Sequence, residues 1–378
     1  YEVNNQASFE DLKADDRDWV RESNRDDMEI SDADDSDQED DDRELDDPSR
    51  MKTETLADNE ATNSQLEVAA CNDSTFVLRG DKLGVFQTSN EGPLYRTMVN
   101  IKDSKGNMFS PHRMMLHEQD RSMLLLHGED EAKISRMDLE RGEIVNEWGG
   151  SGSAMSTPVR SIAQTEKYSN LTPSQEFVGL NPSSLMRFDP RTPSLIAQSK
   201  NYAKGTRARL ECAATTGAGH LAVASTNGDI RLYDTIGKNA KTHLPGLGDN
   251  ITSIDVTEDG FFVLATTPKY LLLIDTRVSG QEKGGFLKSM GKDKPPPRKL
   301  TLRPEDIAKH KMGEISFTPA HFNTGSSLEK SIVTSTGPFL VIWNFRQVKR
   351  GRSDAYHIRR YRDTVVADDF TYNNDGQI

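Results

Sequence analysis

The chain has 378 residues, 34% of them hydrophobic and 28% charged, and a net charge of −13. Two cysteines exclude a disulfide framework or a cysteine-based metal cluster, and no apolar run is long enough for a membrane-spanning helix. The default setting is therefore reducing and intracellular, and the first residue, Tyr1 rather than Met, marks both ends as expected cut points with no targeting signal to read.

Residues 1–70 hold 25 Asp and Glu against 7 Lys and Arg, whereas the remainder holds 35 against 40. The net charge thus hides two parts of opposite sign. In the first part, SDADDSDQEDDDRELDD (31–47) repels itself and has too little apolar surface to offset its ordering entropy. Residues 1–70 are accordingly expected to be a disordered acidic linker. Ser31 and Ser36 each have an acidic residue three positions on, Asp34 and Glu39, the pattern favoured by acid-directed kinases. Such matches also arise by chance in acidic tracts. Upstream, SFEDLKADDRDWV sets Phe9, Leu12, Trp19 and Val20 near one another on a helical wheel, either a short docking helix or apolar residues in a linker.

From residue 71 onward the sequence repeats one unit: an apolar strand, a tight break and a second strand. STFVLRGDKLGVFQT (74–88) is the first copy and RSMLLLHGEDEAKISRMDLERG (121–142) the second. The Gly/Ser-rich GGSGSAMSTPVRSIAQTEKYSN (149–170) reads as a flexible insertion near 149–172. QEFVGLNPSSLMRFDP (175–190) and LAVASTNGDIRLYDT (221–235) follow. In the latter, Leu221, Val223 and Ser225 oppose Ala222 and Ala224, and Ile230 and Leu232 oppose Arg231 and Tyr233. Asn227-Gly228 are expected to supply the positive φ angles of a primed turn. Further copies occupy 260–276 and 331–344, separated by a stretch near 281–300 whose Gly284-Gly285 and Pro295-Pro296-Pro297 predict a second flexible insertion.

The units close on Asp138, Asp189, Asp234, Asp275 and Asn344, which are 51, 45, 41 and 69 residues apart. A period of about 40–45 residues with four strands per unit and a Trp-Asp-like ending to the third strand is a propeller blade. The expected fold is all-β, a WD40-like β-propeller over 71–378. Six hairpins are complete, and VVADDFTYNNDGQI (365–378) opens a further segment, so the count points to seven blades with the last truncated. Alternatively, the terminal strand pairs with the first hairpin and closes a smaller ring. The repeated closing carboxylates are expected to bind backbone N–H groups of the following turns rather than to act chemically.

Catalytic signatures are missing. His117-Glu118 is followed by Arg121 where a zinc-protease helix needs its second His, and no phosphate-binding Gly-Lys-Ser/Thr loop or Gly-x-Ser-x-Gly elbow occurs. LPGLGD (244–249) has two glycines but lies between strands, where a turn is expected. One charged feature stands out: RQVKRGRSDAYHIRRYR (346–362), with Arg346, Lys349, Arg350, Arg352, Arg359, Arg360 and Arg362 interleaved with Tyr356 and Tyr361. It could grip an anionic lipid or RNA surface, receive the chain's own acidic arm, or be a solvated edge strand whose charges oppose aggregation.

Four of the blocks, 74–88, 121–148 (ending IVNEW), GDIRLYDTIGKNAKTHLPGLGDNI (228–251) and YLLLIDT (270–276), resemble the C-terminal WD40-like domain of the vacuolar import and degradation protein 27 family. The resemblance spans about residue 72 to the end. It implies a cytoplasmic, non-catalytic protein in which an N-terminal pleckstrin-homology-like region and an acidic linker precede a propeller, and it links the family to vacuole-directed turnover of enzymes. This chain departs from that plan in lacking the N-terminal region, in ending before its last blade closes and in the insertion after Trp148. The leading expectation is an interaction scaffold for proteins of unknown identity, with no cofactor and no metal. Anionic lipid or RNA binding through 346–362 is the alternative, and nucleic acid is not expected as the main partner.

Overall fold

The computed structural model describes residues 62–89, 92–128, 132–149, 158–202, 209–278, 284–292, 294–323 and 329–368. These residues form six antiparallel sheets, each made of four consecutive strands, arranged as the blades of a propeller ring. Blade one comprises β1 (Asn63–Val68), β2 (Ser74–Arg79), β3 (Lys82–Ser89) and β4 (Gly92–Asn100). Blade two comprises β5 (Arg113–His117), β6 (Ser122–Leu126), β7 (Lys133–Asp138) and β8 (Glu143–Gly149). Blade three is β9 (Ser161–Gln164), β10 (Phe177–Asn181), β11 (Ser184–Phe188) and β12 (Ile196–Asn201). Blade four is β13 (Leu210–Thr215), β14 (Leu221–Ser225), β15 (Ile230–Tyr233) and β16 (Thr242–Leu244). Blade five holds β17 (Ser253–Val256), β18 (Phe262–Thr266), β19 (Leu271–Asp275) and β20 (Arg298–Leu300). Blade six holds β21 (His321–Phe322), β22 (Ser331–Thr336), β23 (Phe339–Asn344) and β24 (Tyr356–Arg360).

The second strand of each sheet explains the radial arrangement. Every residue of β6, β10, β14 and β18 is buried, so these sheets are apolar on both faces and need a neighbour on each side. Blade four shows the division of labour. Leu221, Val223 and Tyr233 pack with Leu180 and Leu185 of blade three, whereas Ala222, Ala224, Ile230 and Leu232 pack with Val263, Ala265 and Leu272 of blade five. Three other boundaries are organised in the same way, with apolar clusters between blades one and two, two and three, and five and six. No such cluster joins blades six and one among the described residues.

Several expectations are corrected. Six blades and no seventh stand among the described residues: 365–368 carries no strand, 369–378 lie outside the described residues, and blade one draws all four strands from 63–100. Residues 63–68, assigned above to the acidic linker, are β1, because a six-residue strand is submerged when composition is averaged over a strongly acidic window. Within 149–172, 161–164 is β9, the innermost strand of blade three, and 169–171 is a single 3-10 turn. Within 281–300, Gly284 bridges to Arg277 and the last residues form β20. The turn at Thr226–Asp229 is not a primed pair, since only Gly228 has positive φ (83°). Gly228 N donates to Ser225 O (2.9 Å) and Ser225 N to Asp229 O (3.0 Å), a three-residue loop ending in a left-handed glycine. Gly246 of LPGLGD lies against that turn so closely that a Cβ would sit 2.4 Å from the Gly228 carbonyl carbon, so this glycine serves backbone approach between two loops.

Strand direction alternates within each blade, so all six first strands begin on one face, the upper face, and end on the lower one. On the lower face, Glu118, Gln119 and Asp120 between β5 and β6 all adopt left-handed φ (52°, 59° and 57°). What holds this strained turn is Asp120, 3% exposed, whose Oδ2 accepts from Ala70 N (2.6 Å) and Cys71 N (2.7 Å) of blade one. Asp120→Ala orphans both amides and is expected to cost about 2–3 kcal/mol in urea unfolding, with Asp120→Asn recovering part of the loss. A loss below about 1 kcal/mol would remove the clasp from the account.

Candidate functional site

The first strands surround a central channel holding a cavity of about 630 Å³. Each blade contributes a polar side chain to its upper part: Gln65, Arg113, Arg160, Glu211, Ser253 and His321, in blade order. Leu66, Met114, Met115 and Ile162 add apolar wall. Gln65 is fixed by its neighbour, donating through Nε2 to His112 O (2.6 Å) and accepting through Oε1 from Met114 N (2.8 Å). The two guanidiniums, half-buried on adjacent blades, pair with no carboxylate among the described residues.

The channel is blind. Downstream of β9 the chain turns across its lower end, with Tyr168 in a left-handed conformation (φ 68°). Lys167 N donates to Thr216 O of blade four (3.0 Å), and Lys167 Nζ reaches blade five, bonding Asp255 Oδ1 (3.1 Å) and the Val256 carbonyl. The same ammonium stands 5.6 Å from the ring centroid of Phe322 in blade six, and Asn170 O accepts from Gln119 N of blade two (2.7 Å). A short segment of blade three thus touches blades two, four, five and six. Asp255 completes the closure, its Oδ2 accepting from Phe322 N (2.8 Å).

At the upper mouth a second segment arrives. After β24 the chain folds back over blade six, Tyr361 N donating to Pro338 O (2.7 Å) and Val365 N to Gly337 O (2.9 Å). Val366, Ala367 and Asp368 then line the channel. Burial pushes the Asp368 carboxyl above its ordinary value, against the opposing influence of His321 and a hydrogen bond from Thr318 Oγ1 (3.3 Å). Asp368 Oδ2 has no hydrogen-bond partner among the described residues.

The basic segment 346–362 is not one surface. Arg346 and Lys349 lie on a five-residue helix, α1 (Pro304–Lys309) being the earlier helix and α2 (Phe345–Lys349) this one, with Arg350 and Arg352 just beyond. These four sit at the lower end of β24. Arg359, Arg360 and Arg362 sit at its upper end, Leu340 facing Arg359 and Phe339 facing Arg360 in register. Adjacent strand residues point to opposite faces, so even Arg359 and Arg360 diverge. Lys349 packs over Phe345 (4.6 Å to the ring centroid), and burial lowers its pKa. Tyr356 is also committed internally, accepting from Arg303 N (2.8 Å) and donating to Asp306 of α1.

The blade-end residues lie on the lower face. Asp138 Oδ1 accepts from Glu140 N (3.0 Å) and Arg141 N (3.1 Å), Asp189 Oδ1 from Arg191 N (3.0 Å), and Asp275 Oδ1 from Arg277 N (3.0 Å). The Arg191 and Arg277 guanidiniums hold these two carboxyls below the usual range, Asp275 against its own desolvation. Asn344 caps α2 through Gln347 N (3.1 Å). Asp234 differs, pairing with Lys241 (3.3 Å) while its Oδ1 lacks a partner among the described residues. Ser31, Ser36, the apolar residues 9–20 and the acidic arm lie outside the described residues. Sequence reading missed the channel set because Arg113, Arg160 and Glu211 fall at or next to the starts of first strands on three different repeats, with no local spacing to connect them.

His117, 1% exposed at the lower end of β5, has its pKa depressed by burial, and its Nδ1 lacks a partner among the described residues. Unfolded, the imidazole takes a proton near 6.5, whereas folded it does so only at lower pH. The stability it permits is complete above that unfolded value and declines as pH falls through it toward the folded pKa. The melting temperature should therefore drop between pH 7.5 and 5.5, and His117→Gln should flatten that slope. An unchanged slope in the variant would assign the pH dependence elsewhere.

A profile of the VID27 C-terminal WD40-like domain matches residues 61–378. The chain belongs to this family. It is 43% identical over 342 residues to vacuolar import and degradation protein 27 of Schizosaccharomyces pombe, covering 87% of this chain and 42% of that protein. With the Saccharomyces cerevisiae protein of the same name the identity is 35% over 337 residues, 84% of this chain and 42% of the relative. The chain thus spans less than half the length of these VID27 relatives. Among solved structures it matches the β-propeller domain of Myceliophteria thermophila Cps50 (Swd1) with a TM-score of 0.55, at 14% identity, over 82% of this chain and 89% of that one. That likeness is one of fold. The VID27 match starts two residues before β1, consistent with the corrected start of blade one.

Proposed function

We propose that this domain is a non-catalytic interaction scaffold acting in the cytoplasm, in the vacuolar import and degradation setting that the names of its relatives state. The observation that carries the reading is the blind channel. Six blades bring one polar side chain each to a shared mouth, on a ring held rigid by second strands that are buried along their whole length in four of the blades. Short turns such as Gly80-Asp81 and Gly337-Pro338 surround that mouth and offer further contact surface. A lipid- or RNA-binding surface built from 346–362 is less well supported, since its cations divide between the two ends of β24.

The test is affinity capture from cell extract with the complete chain, a channel-blocked form (Ser253→Trp) and a lower-face form (Arg141→Glu). Proteins retained by the wild type and by Arg141→Glu but lost with Ser253→Trp support the scaffold. An identical set from all three forms overturns it.

A further inference from the structure

We propose that Pro295-Pro296-Pro297 is a docking ridge for another protein's polyproline-reading domain of the WW type, one with a single aromatic groove flanked by acidic residues. The triplet leads from the lower face into β20, the outermost strand of blade five. The inference therefore goes beyond the channel reading and does not depend on it.

Each proline ring fixes its own φ, and a residue that precedes proline is pushed out of the helical region, a restriction that falls on Lys294, Pro295 and Pro296. By these constraints the triplet is one turn of polyproline II, and 294–297 carries neither helix nor strand. Its two ends are tied down. Lys294 Nζ donates to the His243 carbonyl on β16 of blade four, and Arg298 Nη1 donates to the carbonyls of Val348 and Lys349 at the end of α2 in blade six. A turn anchored on both sides has little conformational freedom left to lose on binding. Pro296 and Pro297 are exposed and Pro295 half-buried. Behind them a cavity of about 240 Å³, walled by Phe262, Leu273 and Asp275, leaves the ridge standing off the sheet. The carbonyls of Pro295 and Pro296 accept no hydrogen bond among the described residues, and such acceptors suit the indole or phenol donor of a groove aromatic.

Sequence and charge select the kind of reader. Polyproline II has about three residues per turn, so a two-groove domain of the PxxP kind needs a second proline one turn away, and residues 292–294 and 298–300 hold none. That leaves a partner with one groove. Lys294, Arg298 and Lys299 flank the triplet, and none forms a salt bridge among the described residues. Their contacts are to carbonyls and, for Lys299, to the Tyr270 ring (4.0 Å to the centroid). Asp275, the carboxylate in the cavity wall, is taken by Arg277 (2.5 Å). The ridge is thus bordered by uncompensated positive charge, to which an acidic rim is complementary.

The experiment is fluorescence polarisation with the complete chain and three labelled sets of purified domains: WW domains with acidic groove flanks, WW domains with basic flanks, and SH3 domains. Acid-flanked WW domains should bind, more weakly as salt rises, and at least about tenfold better than basic-flanked ones. Pro296→Ala with Pro297→Ala should weaken binding about tenfold or more at an unchanged melting temperature, while Arg359→Gln with Arg360→Gln, at the upper end of β24, should change it less than about twofold. A synthetic peptide of residues 291–300 should compete. Absence of binding by the acid-flanked WW domains, or binding indifferent to the proline double variant, overturns the ridge. Binding by SH3 domains in place of WW domains overturns the single-groove assignment, and binding of the peptide but not of the complete chain overturns the ridge as a surface of the folded protein. Ser253→Trp, which blocks the channel, should leave this binding unchanged, so failure of the ridge and failure of the channel reading are separable.

Discussion

Trp343→Ala should cost about 3–5 kcal/mol, the largest single loss expected in this domain. Trp343 ends the apolar part of β23, is 0% exposed, and packs in the cluster between blades five and six with Phe262, Leu264, Phe317 and Val348. Its ring meets Phe317 edge-on at 6.1 Å and Tyr356 at 5.5 Å, and its Nε1 donates to Ser353 O (3.1 Å). Removing it opens a cavity between two sheets that cannot approach each other, because their hairpins are already in register. It also orphans a carbonyl in the loop between α2 and β24. Urea unfolding followed by circular dichroism reads the loss, and Trp343→Phe should recover most of the packing but not the hydrogen bond. A change below about 1 kcal/mol for Trp343→Ala would mean that blade six is not held by this cluster.

Lys167→Met should cost about 2–4 kcal/mol, in contrast with an ordinary surface lysine, whose removal costs next to nothing. The side chain is 10% exposed and its partner Asp255 19%, so little solvent remains to screen the pair. Loss of the ammonium leaves Asp255 Oδ1 and the Val256 carbonyl without their cation, although the alkyl volume is kept. Asp255→Asn alone should be milder, because the amide oxygen still accepts from Phe322 N. In a double-mutant cycle the two changes should couple by about 1 kcal/mol or more, and strict additivity would show that the lysine does not tie blade three to blade five. Limited proteolysis gives a second readout, with cleavage near residues 165–172 expected to accelerate in Lys167→Met.

The blades were legible in sequence wherever the apolar pattern was dense. LAVASTNGDIRLYDT gave both strands and both faces, since Leu221, Val223 and Tyr233 do pack apart from Ala222, Ala224, Ile230 and Leu232. The innermost strands were harder. Ser161–Gln164 and Asn63–Val68 are short, border the channel and carry polar residues there, so nothing in SIAQ or NSQLEV separates them from loop. The same property hid the candidate site, because the cavity is composed from the weakest strands of six repeats and no local spacing links Arg113 to Arg160 or Glu211. The basic run 346–362 misled for the converse reason. Its cations are contiguous in sequence, but a helix, a turn and a strand distribute them along the height of one blade.

Adhesion around the circle is uneven. Five seams are glued by hydrocarbon, while the sixth, where the last blade meets the first, has no such glue among the described residues. The assembly therefore behaves like a split washer. A modest strain would part it at Gln65 and His321, widening the bore there, while Arg113 and Arg160, seated between intact joints, would keep their spacing.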